Sequence, residues 1–343
     1  MQKLAFIGFG VVGQGLAEIL LEKKDVLKEK YGYDYSVVAV SDFTKGSALD
    51  NGGLDLVKVL ELAREGKISE YEGATTGLDA LETIEKADAD VVIEVSYTDI
   101  KTGEPANSHF RAALGSGKHL VTTNKGPTAL FFSELQKLAK EKGAQFRYEG
   151  TVVAGTPVIN LGEFCLAAND ITEIRGILNG TTNFILTNME TGKSYEDALK
   201  EAQELGFAEA DPTADVEGFD ALAKVVILSK AVMGAEISPA DVDRTGITAI
   251  TLEDIEKAGA EGMRYKLIGK VVREGGKVSA SVKPEKVAVT DPLASVGGAT
   301  NALTFTTDLL GDVTIVGAGA GRRETGYSLL IDMLAIDRDC CCK

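Results

Sequence analysis

Histidine is nearly absent from these 343 residues, occurring only as His109 and His119. A Ser-His-Asp triad would have to use one of those two, and neither a C-x-x-C pair nor a His/Cys cluster offers zinc a ligand set. Cysteine is as scarce: Cys165 stands alone, and Cys340, Cys341 and Cys342 sit together near the C-terminus. An exposed, reduced tail is the expectation for those three in a cytosol, with cross-linking between the tails of two subunits as the alternative. Seven prolines exclude Pro-rich linkers. No apolar run reaches the ~18 residues of a membrane span. Met1 leads straight into a strand-like segment, with neither the basic flank nor the small-residue cleavage site of a signal peptide, so a cytoplasmic protein is expected. Positive charge is in deficit, 36 Lys plus Arg against 52 Asp plus Glu, a net charge of −16. With no long basic run to offset it, that balance repels phosphate backbones and anionic lipid, so neither nucleic acid nor a membrane is an expected partner. Catalysis has to rest on lysine, carboxylates or a cofactor.

What the sequence has is glycine, 38 residues of it, and a regular alternation of elements. Short β-branched runs at Leu4 to Ile7, Ser36 to Val40, Val91 to Val95, His119 to Thr122 and Gln145 to Tyr148 alternate with helix-period stretches such as Leu16 to Glu29 and Thr128 to Lys142. Apolar strands separated by helices imply a parallel α/β sheet buried on both faces. From about Gly150 the segments change character. Helical stretches (Tyr195 to Leu205, Gly218 to Met233, Leu252 to Ala258) mix with strand-like runs (Arg175 to Leu178, Leu267 to Val272, Lys277 to Val282), which implies an α+β domain. A last strand-like run, Val313 to Val316, is expected to return to the first sheet. The domain expectation is therefore 1–148 with 305–343, and 149–304.

Gly8-Phe9-Gly10-Val11-Val12-Gly13 is a G-x-G-x-x-G motif placed after a strand and at the opening of a helix, the context in which it marks a Rossmann-type dinucleotide site. Gly8 permits the tight turn, Gly10 lets pyrophosphate approach the backbone, and Gly13 lets the helix pack on its strand, with phosphate meeting the helix N-terminus. The acid for the ribose is Asp42, at the end of the second strand. Its carboxylate suits a free 2′-hydroxyl and favours NAD, whereas Lys45 offers a cation to a 2′-phosphate, so either form of NAD(P) is compatible.

Three further segments carry candidate chemistry. Asp220 and Lys224 stand at i and i+4 on an apolar helix, where a lysine needs a partner or a function. Lys125 follows a strand at the carboxyl edge of the sheet, where ligands bind in open α/β folds. Glu149 precedes a glycine-containing irregular stretch to Pro157, and oxygen donors of that kind suit a hard cation, although on the residues alone a simple interdomain turn is the better reading. Gly317-Ala318-Gly319-Ala320-Gly321 repeats the strand, glycine, helix order and could present amides to a cofactor.

These stretches, with Gly176 to Asn183 and the long signature Gly206 to Lys224, resemble homoserine dehydrogenase in order along nearly the whole chain. The resemblance implies NAD(P)-dependent interconversion of L-aspartate 4-semialdehyde and L-homoserine, a step toward threonine, methionine and isoleucine. It implies Lys224 as the proton-transferring group, Asp220 orienting it, and Lys125 beside substrate and cofactor. Glu209 and Asp215 would take the substrate ammonium, and Thr181 with the backbone at Gly180 the rest of the substrate. Ser96 and Gly321 would line the cofactor. A monovalent cation, usually sodium, would be held by Glu149 and the carbonyls of Val152, Ala154 and Thr156. A homodimer formed through the second domains is implied, and no appended regulatory domain or fused kinase is expected. A non-catalytic dinucleotide sensor, or another amino-acid dehydrogenase, would share the N-terminal glycines but not the Glu209, Asp220, Lys224 series.

Overall fold

A computed structural model describes residues 1–341. The chain forms two compact units, Met1–Gly155 together with the chain from Gly321 onward, and Thr156–Ala320.

The first unit is built on a seven-stranded sheet of order β4-β3-β2-β1-β5-β6-β7. The strands are β1 (Gln2–Ile7), β2 (Tyr35–Asp42), β3 (Gly46–Leu49), β4 (Thr75–Thr76), β5 (Val91–Glu94), β6 (His119–Thr122) and β7 (Phe146–Arg147). β2, β1, β5, β6 and β7 run parallel, in the places the apolar runs predict. The antiparallel edge β3–β4 escaped the sequence pattern, because four residues and two residues are too short to show a period. Helices cover both faces, and the core joins Leu4, Phe6, Leu16 and Leu20 to Leu329, Met333 and Ile336 of the final helix, Arg322–Cys341. Two glycines make that packing possible. A Cβ on Gly15 would strike the Arg322 carbonyl, and one on Gly326 would lie 2.7 Å from the Leu16 nitrogen.

The second unit holds a six-stranded sheet of order β13-β12-β8-β10-β11-β9. Here β8 is Ile171–Ile177, β9 Asp243–Arg244, β10 Met263–Glu274, β11 Lys277–Ala288, β12 Thr300–Thr307 and β13 Gly311–Ala318. The expectation that Val313 to Val316 rejoins the first sheet is overturned: β13 pairs antiparallel with β12 from Thr300↔Ala318 to Thr307↔Gly311. The hairpin wins because only a short turn separates the strands, closed by the Leu310 amide on Thr307 Oγ1 at 3.1 Å. The return to the first unit comes at Gly321 rather than residue 305, and it is made by a helix.

Candidate active site

The glycine loop between β1 and the helix Val11–Glu22 assigns each glycine a separate task. Gly8 has φ +88°, and a Cβ there would press to 2.5 Å on the Ser96 nitrogen. A Cβ on Gly13 would lie 2.8 Å from the Gly8 carbonyl, so its absence lets the helix close on the strand. A Cβ on Gly10 would meet nothing within 4 Å. Gly10 therefore keeps an open side of the backbone bare at the helix N-terminus, where pyrophosphate fits. Phe9 is buried and packs edge-to-face on Phe6, so only its backbone is available to a ligand. Val11 is exposed at the first helical position, and Val12 packs against the core.

Asp42 ends β2 and anchors this loop, accepting the Phe9 amide at 2.8 Å on Oδ2. Its Oδ1 takes the Thr44 hydroxyl at 2.8 Å and the Lys45 amide at 3.0 Å, with the Lys45 ammonium at 3.3 Å. Burial opposes its charge, but the Phe9 amide, the Thr44 hydroxyl and Lys45 outweigh it and hold the carboxyl below its ordinary value. Asp42 and Lys45, offered by the sequence as competitors, are thus a paired unit. An open cleft of about 710 Å3 runs from Gly8 and Asp42 past Phe43 and Leu81 to Ser96 and His109. Phe43, Leu81 and His109 were not expected there. The cleft gathers them from three separate loops and helices, which no local motif reports. Lys125 begins the helix Lys125–Lys142 and is half-buried.

The second unit assembles a cluster around the helix Phe219–Ala231. Lys224 is 6% exposed, with its Nζ 2.7 Å from Asp220 Oδ2 and donating to the Leu178 carbonyl at 2.5 Å. The surface ion pair that an Asp-x-x-x-Lys spacing also allows is excluded by that burial. Asn179 ties the acids together, donating to Asp220 at 3.0 Å and to Asp215 at 2.7 Å. Its own Oδ1 caps the helix Gly180–Met189 through the Thr182 amide at 2.9 Å. Asn179 was missed as a site residue, and the available signal was an Asn directly before a helix. Burial, then the Asp220 charge, pushes the Asp215 carboxyl above its ordinary value. Thr181 Oγ1 donates to the Phe207 carbonyl at 2.5 Å, next to the exposed Glu209. Gly180 lies where a Cβ would meet the Ala299 carbonyl at 2.6 Å. One buried ammonium beside two carboxylates, with a third acid near Asp215, is a site suited to proton transfer on a substrate that carries its own positive charge.

The candidate cation residues run along the chain from Glu149 to Thr156. Glu149 is buried, and its amide donates to Asp332 Oδ2 at 2.9 Å. Val153 and Ala154 adopt left-handed φ of 57° and 49°, unusual for residues with a Cβ, and turn successive carbonyls out of helical register. An all-oxygen donor set of this kind fits a hard cation. Thr156 opens the second unit, its hydroxyl donating to the Ala318 carbonyl at 3.1 Å. Gly321, at φ +138°, opens the last helix.

The family model for homoserine dehydrogenase matches residues 157–334, and that for the homoserine dehydrogenase NAD binding domain matches residues 8–149. The chain belongs to the homoserine dehydrogenase family. The NAD(+)-dependent homoserine dehydrogenase of Pseudomonas canavaninivorans is 46% identical over 97% of this chain and 96% of its own. The homoserine dehydrogenase of Methanocaldococcus jannaschii is 44% identical over 97% of this chain and 98% of its own. A solved hyperthermophilic archaeal homoserine dehydrogenase in complex with NADPH superposes with a TM-score of 0.84 at 32% identity, covering 98% of each chain. The glycine loop, Asp42 and the cleft all lie within or beside the span that matches the NAD binding domain. Among the described residues, no helix is long and apolar enough to cross a membrane.

Proposed function

We propose that this homoserine dehydrogenase interconverts L-aspartate 4-semialdehyde and L-homoserine with Lys224 as the proton-transferring group. NAD(P)H, when bound, supplies hydride to the aldehyde carbon, and negative charge then grows on the carbonyl oxygen. Lys224 has three N–H donors. Asp220 and the Leu178 carbonyl take two, and the third is directed to that oxygen, stabilising and then protonating it. In the oxidative direction the same lysine, in its neutral form, accepts the alcohol proton. Asp215 and Glu209 receive the substrate ammonium. The first-turn amides at Gly180 and Thr181 meet its carboxylate.

The observation that carries this reading is the burial of Lys224 against Asp220, because a lysine removed from solvent in an apolar helix needs a partner or a function. Lys125, on the first unit, serves the cofactor side as a second catalytic group. The charged Asp42, already paired with Lys45, favours NADH over NADPH. A sodium ion at Glu149 and the carbonyls of Val152, Ala154 and Thr156 is part of the reading, supported by the left-handed turn there. So are a cytoplasmic location and a homodimer, the latter supported by the exposed apolar Val316, Leu309 and Leu310 on the edge hairpin.

The test is steady-state NAD(P)H consumption with aspartate semialdehyde, comparing both cofactors and the Lys224→Ala and Lys125→Ala variants. Near-normal kcat in Lys224→Ala together with its loss in Lys125→Ala would reverse the assignment. Monomers in light scattering would remove the dimer, and an unchanged melting temperature in NaCl against tetramethylammonium chloride would remove the cation.

A further inference from the structure

Glu94 ends β5 at the carboxyl edge of the first sheet and is fully buried. Its Oε1 accepts the Ser96 hydroxyl and lies 3.0 Å from His109 Nδ1, and its Oε2 accepts from Asn124 Nδ2. The three partners come from three elements: the loop after β5, the helix Ala106–Gly115 and the turn after β6. Asn124 also donates to the Ser96 carbonyl at 3.0 Å, closing the network on itself. Thr122 completes the turn, its Oγ1 donating to the Glu94 carbonyl at 2.7 Å and accepting the Asn124 amide at 3.0 Å.

Two features set this network apart from ordinary sheet packing. A carboxylate without solvent carries a desolvation penalty that an apolar side chain on a parallel strand would not. What the carboxylate adds is direction, since its acceptor sites face their donors at fixed angles. The second feature is the cap. Asn124 is the N-cap of the helix that begins with Lys125, yet its side chain makes no capping bond there. An Asn in that position ordinarily bonds the N2 or N3 amide of its own helix. Here Glu94 and Ser96 take that side chain, so the first helical turn is set by the sheet rather than by its own cap. Ser96, held by the same carboxylate, lines the cofactor cleft.

We propose that Glu94 is a positioning residue of the dehydrogenase reaction, its carboxylate holding Asn124 and Ser96 and thereby fixing where Lys125 and the cofactor-side loop stand. The inference rests on the reading of Lys125 as a catalytic group. Glu94→Gln replaces one acceptor oxygen by an NH2 donor, which must face either Asn124 or the Ser96 hydroxyl and His109, so one arm of the network is lost and the turn carrying Lys125 shifts. Displacements of about 1 Å cost roughly 100-fold in rate.

The experiment is a double-mutant cycle on the full chain with Glu94→Gln and Lys125→Met, reading kcat, KM for both substrates, the NADH dissociation constant by fluorescence, and the melting temperature. Glu94→Gln is expected to lower kcat about 10- to 100-fold. The melting temperature should stay near wild type, and adding Glu94→Gln to Lys125→Met should cost little more in kcat, since both act through one group. A full kcat in Glu94→Gln, or an equal further loss in the Lys125→Met background, overturns the proposal. Full kcat in Lys125→Met instead removes the reading of Lys125 on which the proposal stands. If Glu94→Gln does not fold, Asn124→Ala takes its place in the same cycle, with the same outcomes deciding.

Discussion

Lys224 and Asp220 form a contact of 2.7 Å one helical turn apart, and the lysine also donates to a main-chain carbonyl, that of Leu178. The ammonium is therefore held by one carboxylate and one neutral acceptor, which fixes its direction while leaving a proton to move. Lys224→Met is expected to lower kcat by about 100- to 10,000-fold, the usual worth of a positioned acid or base. Stopped-flow absorbance of NADH with aspartate semialdehyde measures it, and a loss under tenfold would refute the role.

Asp215 predicts a conflict between stability and activity. Its carboxyl is raised above the ordinary value by burial and by Asp220, so the fold favours its protonated form. The stability this gives is complete below the unfolded pKa and is lost as pH rises through the folded one. Asp215→Asn, which can still accept from Asn179, is therefore expected to raise the melting temperature at pH 7 to 8. The same variant should raise KM for aspartate semialdehyde, because the charge that meets the ammonium is gone. In the wild type that KM should rise as pH falls through the Asp215 pKa, and in Asp215→Asn the slope should vanish.

Lys266 lies fully buried on β10, donating to Val296 O at 2.8 Å and Asn183 Oδ1 at 3.1 Å. Burial pushes its ammonium down to about 8. A lysine lowered in the fold binds its proton more weakly than in the unfolded chain, so stability should rise between pH 8 and the ordinary lysine value. The gain is roughly 3 kcal/mol at most. Urea denaturation across that range should show the rise in the wild type, and Lys266→Met should flatten it.

Asp42 is the residue we propose to select the cofactor. Replacing it by alanine removes both the ribose acceptor and the charge facing a 2′-phosphate, while freeing Lys45. The ratio of kcat/KM for NADH over NADPH should fall about 10- to 100-fold, the worth of one charged hydrogen bond. An unchanged ratio would place cofactor selection elsewhere.

The shortage of histidine, the glycine loop and the Gly206 to Lys224 signature are local facts, and the reaction class followed from the resemblance of these motifs to homoserine dehydrogenase. Residues four apart on a helix must stack, and G-x-G-x-x-G after a strand must turn, whatever the rest of the chain does. The Asp220 and Lys224 pair and the five parallel strands were legible for that reason. The partner of β13 was not, because periodicity says that a segment is a strand and is silent on which edge it joins. Glu94 and Asn179 stayed hidden for a related cause. Each acts on residues brought from distant segments, Glu94 on His109 and Asn124, Asn179 on Asp215 and Asp220. The pairing of Asp42 with Lys45 is local but depends on a turn geometry that two residue types cannot specify. Chemistry that repeats along the backbone was set by the sequence itself. Burial, and with it the desolvation that decides whether a charged group is surface or site, was decided only when the tertiary fold removed water from around it.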